Sequence, residues 1–172
     1  MARSNLPRSI IKNATVYVGT DENNSMIGQA SEMQTPNITL EFNDIRNAGM
    51  NKERPSLHGF SVEDAEITMT GLSAHNISFL GRPDQEFLFI GDMRGEDGSK
   101  QRARYYVRGM MSEIDFDSWG PGKDHSHGYT IKPTYGKLTI EGDETVRLEW
   151  DDFELTVDGT KIFDSMSVLT QV

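Results

Sequence analysis

Apolar side chains recur at every second position along much of this chain, and that period decides what it can fold into. Ile38, Leu40 and Phe42 alternate with Thr39, Glu41 and Asn43, and Ala65, Ile67 and Met69 alternate with Glu66, Thr68 and Thr70. Successive side chains of a strand point to opposite faces, so both stretches read as half-buried strands whose apolar members face a core. Ala14–Val18, Phe87–Ile90, Tyr129–Ile131 with Tyr135, Leu138–Ile140 and Val146–Trp150 add strand candidates rich in β-branched and aromatic residues. Between them, Asp21–Ser25, Asn47–Pro55, Gly95–Ser99, Trp119–Gly128, Glu141–Glu144 and Asp158–Thr160 carry the Gly, Asn, Asp and Pro of turns. Asp97-Gly98, Glu141-Gly142-Asp143 and Asp158-Gly159 are the best hairpin signals. Only Leu72–Leu80 has helical spacing, through Leu72, Asn76 and Phe79, with Ser73 placed to cap it.

The phase of the alternation also changes within segments. From Arg102 to Asp117 the apolar set starts on Ala103, Tyr105 and Val107 and ends on Met110, Ile114 and Phe116, with Gly109 between the two runs. A strand that switches its inward face this way contains a bulge or bend, and glycine is its natural seat. Similar slips are expected around Gly136 and around Asp151–Asp152. Bent strands suit closure, so the expected fold is mainly β: a curved sandwich or partial barrel of antiparallel strands with one short outer α-helix. At 172 residues, with no repeat or linker, residues 1–172 are expected to form a single domain.

Charge and chemistry narrow the function. A formal charge of -10 opposes wrapping a phosphate backbone. The chain has no cysteine, which removes disulfides and thiolate metal sites. Its apolar runs are too short to cross a bilayer and no charged-then-apolar leader opens it, so a soluble protein made inside a cell is expected. His125 and His127 fall in a Gly-rich turn with no third ligand marked by spacing, and read as a solvated loop. Glu113, Asp115 and Asp117 share a strand face, but nothing beside them marks a nucleophile. Gly95–Lys100 lacks the ending of a phosphate loop. No cofactor, metal or enzyme activity is expected. Arg102, Arg104 and Arg108 form the one concentrated basic strip, which is read as pairing with acidic groups on a neighbouring strand or subunit.

An ordered set of short motifs runs from Leu6 to Gly159. Leu6-Pro-Arg-Ser-Ile-Ile-Lys-Asn-Ala-Thr-Val-Tyr-Val-Gly19 opens it, followed by Thr35-Pro36, a strand, and Arg46-Asn-Ala-Gly-Met50. Phe89-Ile-Gly91, a charged hairpin, Arg108-Gly109, Glu113-Ile-Asp115, Trp119, Pro121-Gly122 and Tyr135-Gly-Lys-Leu138 complete it. This set resembles the major tail tube family of contractile-tailed bacteriophages and related contractile injection tubes. The chain departs from the usual ending of that family, since Asp158-Gly-Thr-Lys161 runs on into Ser165–Val172.

The resemblance implies a structural subunit that forms hexameric rings, stacked into a hollow tube through which DNA passes into the host. It implies an inter-ring contact loop of Arg46, Asn47, Met50, Asn51, Lys52 and Arg54. The candidates for the lumen are Thr39, Glu41, Asn43, Glu66, Thr68 and Thr70, because their neighbours of opposite parity are apolar. An acidic lumen would let DNA slide without sticking. Arg102, Arg104 and Arg108 are expected to pair with charges between subunits. The implied partners are further copies of the chain, a tail sheath protein, baseplate or initiator and terminator proteins, and passing DNA, with no membrane. The implied location is the virion tail, after synthesis in the host cytoplasm. A second reading is a β-sandwich carbohydrate- or receptor-binding module, whose platform would be Trp119 and Tyr129 beside the Gly-rich turn.

Overall fold

The computed structural model of the chain describes residues 9–19, 30–122 and 125–164. The elements in chain order are β1 (Ser9–Val18), β2 (Ala30–Gln34), β3 (Ile38–Ile45), β4 (Arg54–Val62), β5 (Ala65–Thr70), α1 (Ala74–Ile77), β6 (Gln85–Gly95), β7 (Lys100–Phe116), β8 (Ser126–Ile140), β9 (Asp143–Glu149), β10 (Glu154–Val157) and β11 (Thr160–Phe163). The main sheet has nine strands. Seven run in the order β1-β6-β7-β8-β9-β10-β11, and β5 also pairs with β8 and carries β2. β3 and β4 make a separate two-stranded ribbon. Every named strand pair is antiparallel. The fold is the expected mainly β, bent sheet, and it is not a closed barrel. The turn expected at Asp21–Ser25 lies outside the described residues.

One fold line organises the sheet. Gly109 of β7 faces Pro133 of β8, and the register slips there because Thr134 is an extra residue in β8. The buried residues of β8 change parity across this point, from Tyr129 and Ile131 to Gly136, while β7 keeps Tyr105, Val107, Gly109 and Met111 buried and changes face only at Ser112, the extra residue of a second slip between Met111 and Glu113. Proline has no N–H to lose from the ladder, which is why a bulge tolerates it mid-strand. The bulge expected in β7 at Gly109 therefore falls at Ser112, and the one expected at Gly136 falls at Pro133–Thr134, which lies opposite Gly109. Gly136 serves packing instead: an added Cβ there would lie 3.2 Å from the Tyr105 hydroxyl. The expected slip at Asp151–Asp152 is a turn joining β9 to β10, closed by the N–H of Phe153 donating to the Trp150 carbonyl over 3.2 Å.

Bending at this line brings two layers together. The first contains β1, β6 and the adjoining halves of β7 and β8, with β9 beyond them. The second contains β2, β5 and the remaining halves of β7 and β8. Their inward sets, Val16, Val18, Phe87 and Phe89 from one layer and Ala65, Ile67, Met69, Tyr129 and Ile131 from the other, form the main core. Fully burying each large apolar side chain contributes about 1.5–3 kcal/mol. Helix α1 is one turn, much shorter than Leu72–Leu80, and Ser73 makes no side-chain cap. Asn76 from this turn is buried, its amide directed at the Met69 sulfur, so tertiary packing holds it in place of a capping bond.

Strands β2-β3 and β4-β5 are the two legs of one long ribbon with a kink between its halves. At the kink Glu63 N–H donates to the Asn37 carbonyl over 2.9 Å, and the Asn37 amide donates to the Glu63 carboxylate over 2.8 Å. Below it, β2 and β5 belong to the main sheet. Above it, Ile38, Phe60 and Val62 pack on Leu148, Leu155, Trp150 and Phe163 in a second small core. Phe60 meets the Trp150 ring edge-on at a centroid distance of 5.8 Å. The outer half of the ribbon then leaves the body as an arm. Leu40, Phe42 and Leu57 are 40%, 57% and 39% exposed there. This corrects the expectation that Leu40 and Phe42 face a core of their own subunit: only Ile38, nearest the kink, reaches one.

Candidate assembly surfaces

The outward face of the second layer is acidic. In β5 the residues Glu66, Thr68 and Thr70 stand opposite Thr130, Gly128 and Ser126 of β8. On the other side of β8, Glu113 and Asp115 of β7 stand opposite Thr130 and Gly128. Glu32 and Gln34 of β2 continue the row beyond Thr68 and Glu66. Glu66, Thr68, Glu113, Asp115, Asp117 and Thr130 line one shallow hollow of about 540 Å3. Glu113, Asp115 and Asp117 thus belong to the same surface as half of the lumen candidates. The sequence showed each strand's polar face, but only the register β2-β5-β8-β7 shows that the faces coincide.

The other lumen candidates, Thr39, Glu41 and Asn43, lie on the arm. They stand opposite Ser61, Gly59 and Ser56 and make its polar face, while Leu40 and Phe42 stand opposite Phe60 and Leu57 on the apolar one. An extra residue in β4, His58, forms a bulge between those pairs and sharpens the local twist. The tip carries Arg46, Asn47, Met50, Asn51, Lys52 and Arg54. All are exposed except Met50, which is half-buried. Met50 closes the tip on itself: its N–H donates to the Asn47 carbonyl over 3.1 Å, and its sulfur accepts from the Asn47 N–H at 3.4 Å.

The arginine strip runs on the outward face of the first layer. Arg102 pairs within the subunit, its Nε lying 2.7 Å from Asp92 Oδ1, and that contact raises the guanidinium pKa further. Arg108 lies over the Tyr135 ring at 5.5 Å. Arg104 takes part in no ion pair among the described residues. Neighbouring Tyr106 has its hydroxyl pKa pushed up to about 12, chiefly by desolvation and then by its hydrogen bond with Glu86.

The histidine pair differs from its expected loop setting. His127 is in β8, 2% exposed, with Nε2 2.8 Å from the Tyr129 hydroxyl. His125 stacks over it at 5.7 Å. No group of three or more metal-ligating side chains occurs among the described residues. Tyr129 is only 1% exposed, which removes half of the aromatic platform that a carbohydrate-binding module would need.

Burial first, and the charge of His125 second, lower the His127 pKa below its ordinary 6.5. The folded state favours the neutral ring, so the unfolded chain binds the proton more readily and stability rises with pH through this window. The contribution is complete above about pH 6.5 and is lost as pH falls towards the depressed folded value. The melting temperature of the subunit is expected to fall between about pH 7 and 5, and to fall less in His127→Phe. An equal fall in both proteins would assign the effect elsewhere.

Residues 8–167 match the family described as phage tail tube protein FII. The tail tube protein of Escherichia phage P2 is 28% identical over 138 residues, which are 71% of this chain and 75% of that protein. A chain in the cryo-EM structure of the anti-feeding prophage baseplate, six-fold symmetrised, superposes with a TM-score of 0.54 at 10% identity. The match covers 83% of this chain and 97% of that one.

Proposed function

Because this chain belongs to the phage tail tube protein FII family, and is therefore a structural component of a virion tail, we propose that it closes into six-membered rings that stack into a hollow tube for DNA. The observation that carries the reading is the acidic face built by β2, β5, β8 and β7 on a subunit whose outer strands remain open. Among the described residues, strands β1, β2 and β11 each pair on one side only. Open margins invite pairing with further copies, and a ring satisfies them where a lone subunit does not. A concave row of carboxylates and hydroxyls repels phosphate and gives DNA nothing to stack on. The six-fold symmetrised assembly that contains the structurally similar chain agrees with rings of six.

In this arrangement Glu66, Thr68 and Thr70 line the lumen with Glu113 and Asp115, and the polar face of the arm, Thr39, Glu41 and Asn43, extends the lining. The arm tip, Arg46 to Arg54, contacts the next ring. Arg104 is the member of the strip available to a neighbouring subunit, since Arg102 and Arg108 have partners of their own. The full chain acts as one tube domain whose activity is assembly, not catalysis. A sheath outside, baseplate and terminator proteins at the ends, and DNA inside are its partners. Electron microscopy of the concentrated protein is expected to show annular particles or striated hollow tubes. A compact single copy at every concentration would overturn the proposal.

A further inference from the structure

The outward face of the first layer carries opposite charge at its two ends. Beside the β6–β7 hairpin, Lys12, Arg94, Lys100, Arg102 and Arg104 line a concavity of about 920 Å3. Lys12 reaches it as the extra residue of a bulge in β1, between Ile11 opposite Met93 and Asn13 opposite Asp92, and a bulge re-aims a side chain. Two carboxylates share the hollow. Asp92 is taken up by Arg102, and Glu141 accepts from the Arg102 backbone N–H over 2.9 Å. Lys12, Arg94, Lys100 and Arg104 take part in no ion pair among the described residues, which leaves a basic site on a chain of formal charge -10.

The far end of the same face is acidic. Arg104 and Arg108 share a parity in β7, Tyr135 stands opposite Arg108, and Glu149 of β9 stands opposite Tyr135. Beyond them the β9–β10 turn carries Asp151 and Asp152, both exposed. The Trp150 and Phe153 rings that flank this pair lie 5.8 and 5.9 Å from the Phe60 ring, which anchors the turn to the second small core. Glu149, Asp151 and Asp152 line one hollow with Arg108, and none of the three takes part in an ion pair among the described residues. Along β7 the span from Arg102 to Arg108 is roughly 20 Å at about 3.3 Å per residue, too far for the two ends of one subunit to meet.

We propose that the Asp151–Asp152 turn of one copy seats in the basic hollow of the next. The inference rests on the self-assembly reading above and names one of its contacts. A protruding acidic turn matches a basic concavity in shape and in sign, and an anchored turn loses little freedom on docking. A copy displaced along the strands brings the two surfaces together, and the contact then repeats from copy to copy.

Asp151→Lys/Asp152→Lys and Lys100→Glu/Arg104→Glu each set like charges against one another across this contact. In either variant the concentration needed for particles to form is expected to rise about tenfold or more. Combining all four substitutions reverses both surfaces and keeps the net charge at -10, since the four units gained equal the four lost. That variant is expected to assemble within about threefold of the unsubstituted chain, with circular dichroism checking that each subunit is folded. The chain has no cysteine, so Lys100→Cys/Asp152→Cys reads the contact independently: oxidation of assembled particles is expected to give a ladder of covalent multimers. Singly reversed variants that assemble like the unsubstituted chain, a folded fourfold variant that does not recover, or a cysteine pair whose products stop at a dimer or never form would overturn the contact and leave the tube reading standing. Failure of the unsubstituted chain to assemble at any concentration would overturn both.

Discussion

Gly109→Ala is expected to destabilise the subunit by about 3 kcal/mol or more. An added Cβ at Gly109 would fall onto the Lys132 carbonyl oxygen and within 3.0 Å of the Pro133 Cα. These are backbone atoms of the neighbouring strand, so no rotamer change relieves the clash, and the two strands must separate where the sheet folds. Every contact between the layers depends on that fold line. Against a total stability of roughly 5–15 kcal/mol, the loss is a large share. For a domain of this length it corresponds to a drop in melting temperature of roughly 6–12 °C. Gly91→Ala is the control, because a Cβ there meets nothing within 4 Å. Urea titration of the two variants reads the difference directly. A shift below about 0.5 kcal/mol in Gly109→Ala would mean that β8 does not cross so close.

The same glycine illustrates what a single sequence reveals. The change of phase from Tyr105 and Val107 to Ile114 and Phe116 is written in the order of residues, but the bulge that carries it is Ser112, three positions beyond Gly109, and the slip at Gly109 itself comes from the extra residue Thr134 of β8, which β7 alone does not reveal. The hairpins at Glu141-Gly142 and Asp158-Gly159 were legible, since both residues of each pair adopt positive φ. Other elements carried little local signal. Ala30–Gln34 has few apolar residues, and its place as a strand comes from pairing with β5. Arg54–Val62 contains Pro55 and Gly59 and pairs only with β3, so its alternation is weak. His127 stands beside Gly128, which suggested a loop, yet the Tyr129 hydroxyl and the stacked His125 ring make it a buried strand residue.

Periodicity names a face and is silent about what covers it. Leu40 and Phe42 are as regular as Ile67 and Met69, and only the second pair meets a core in the same subunit. The lumen candidates divide for the same reason. Parity placed Glu66 and Glu41 on polar faces correctly as to strand geometry, but the joining of Glu66 with Glu113 and Asp115 required pairing between segments distant in sequence.

Reversing that acidic surface is the second large expected effect. In Glu66→Lys/Glu113→Lys/Asp115→Lys each subunit gains six units of positive charge on one face, and a ring of six repeats the change around its axis. The three residues are exposed and none forms an ion pair among the described residues, so folding is expected to survive. What changes is the affinity for phosphate. Each neutralised phosphate contributes about -0.9 to the slope of log K against log salt, so even four contacts would strengthen binding about a hundredfold or more at low salt. Assembled particles of the variant are expected to retain a short DNA duplex at low salt, shield it from nuclease, and release it as salt rises. Unsubstituted particles should retain none. Shielding separates the lumen from the outside of the tube, because duplex held on an outer surface stays open to digestion. Particles of the variant that assemble normally yet bind no DNA, or hold it where nuclease reaches, would place the acidic face elsewhere than around the channel.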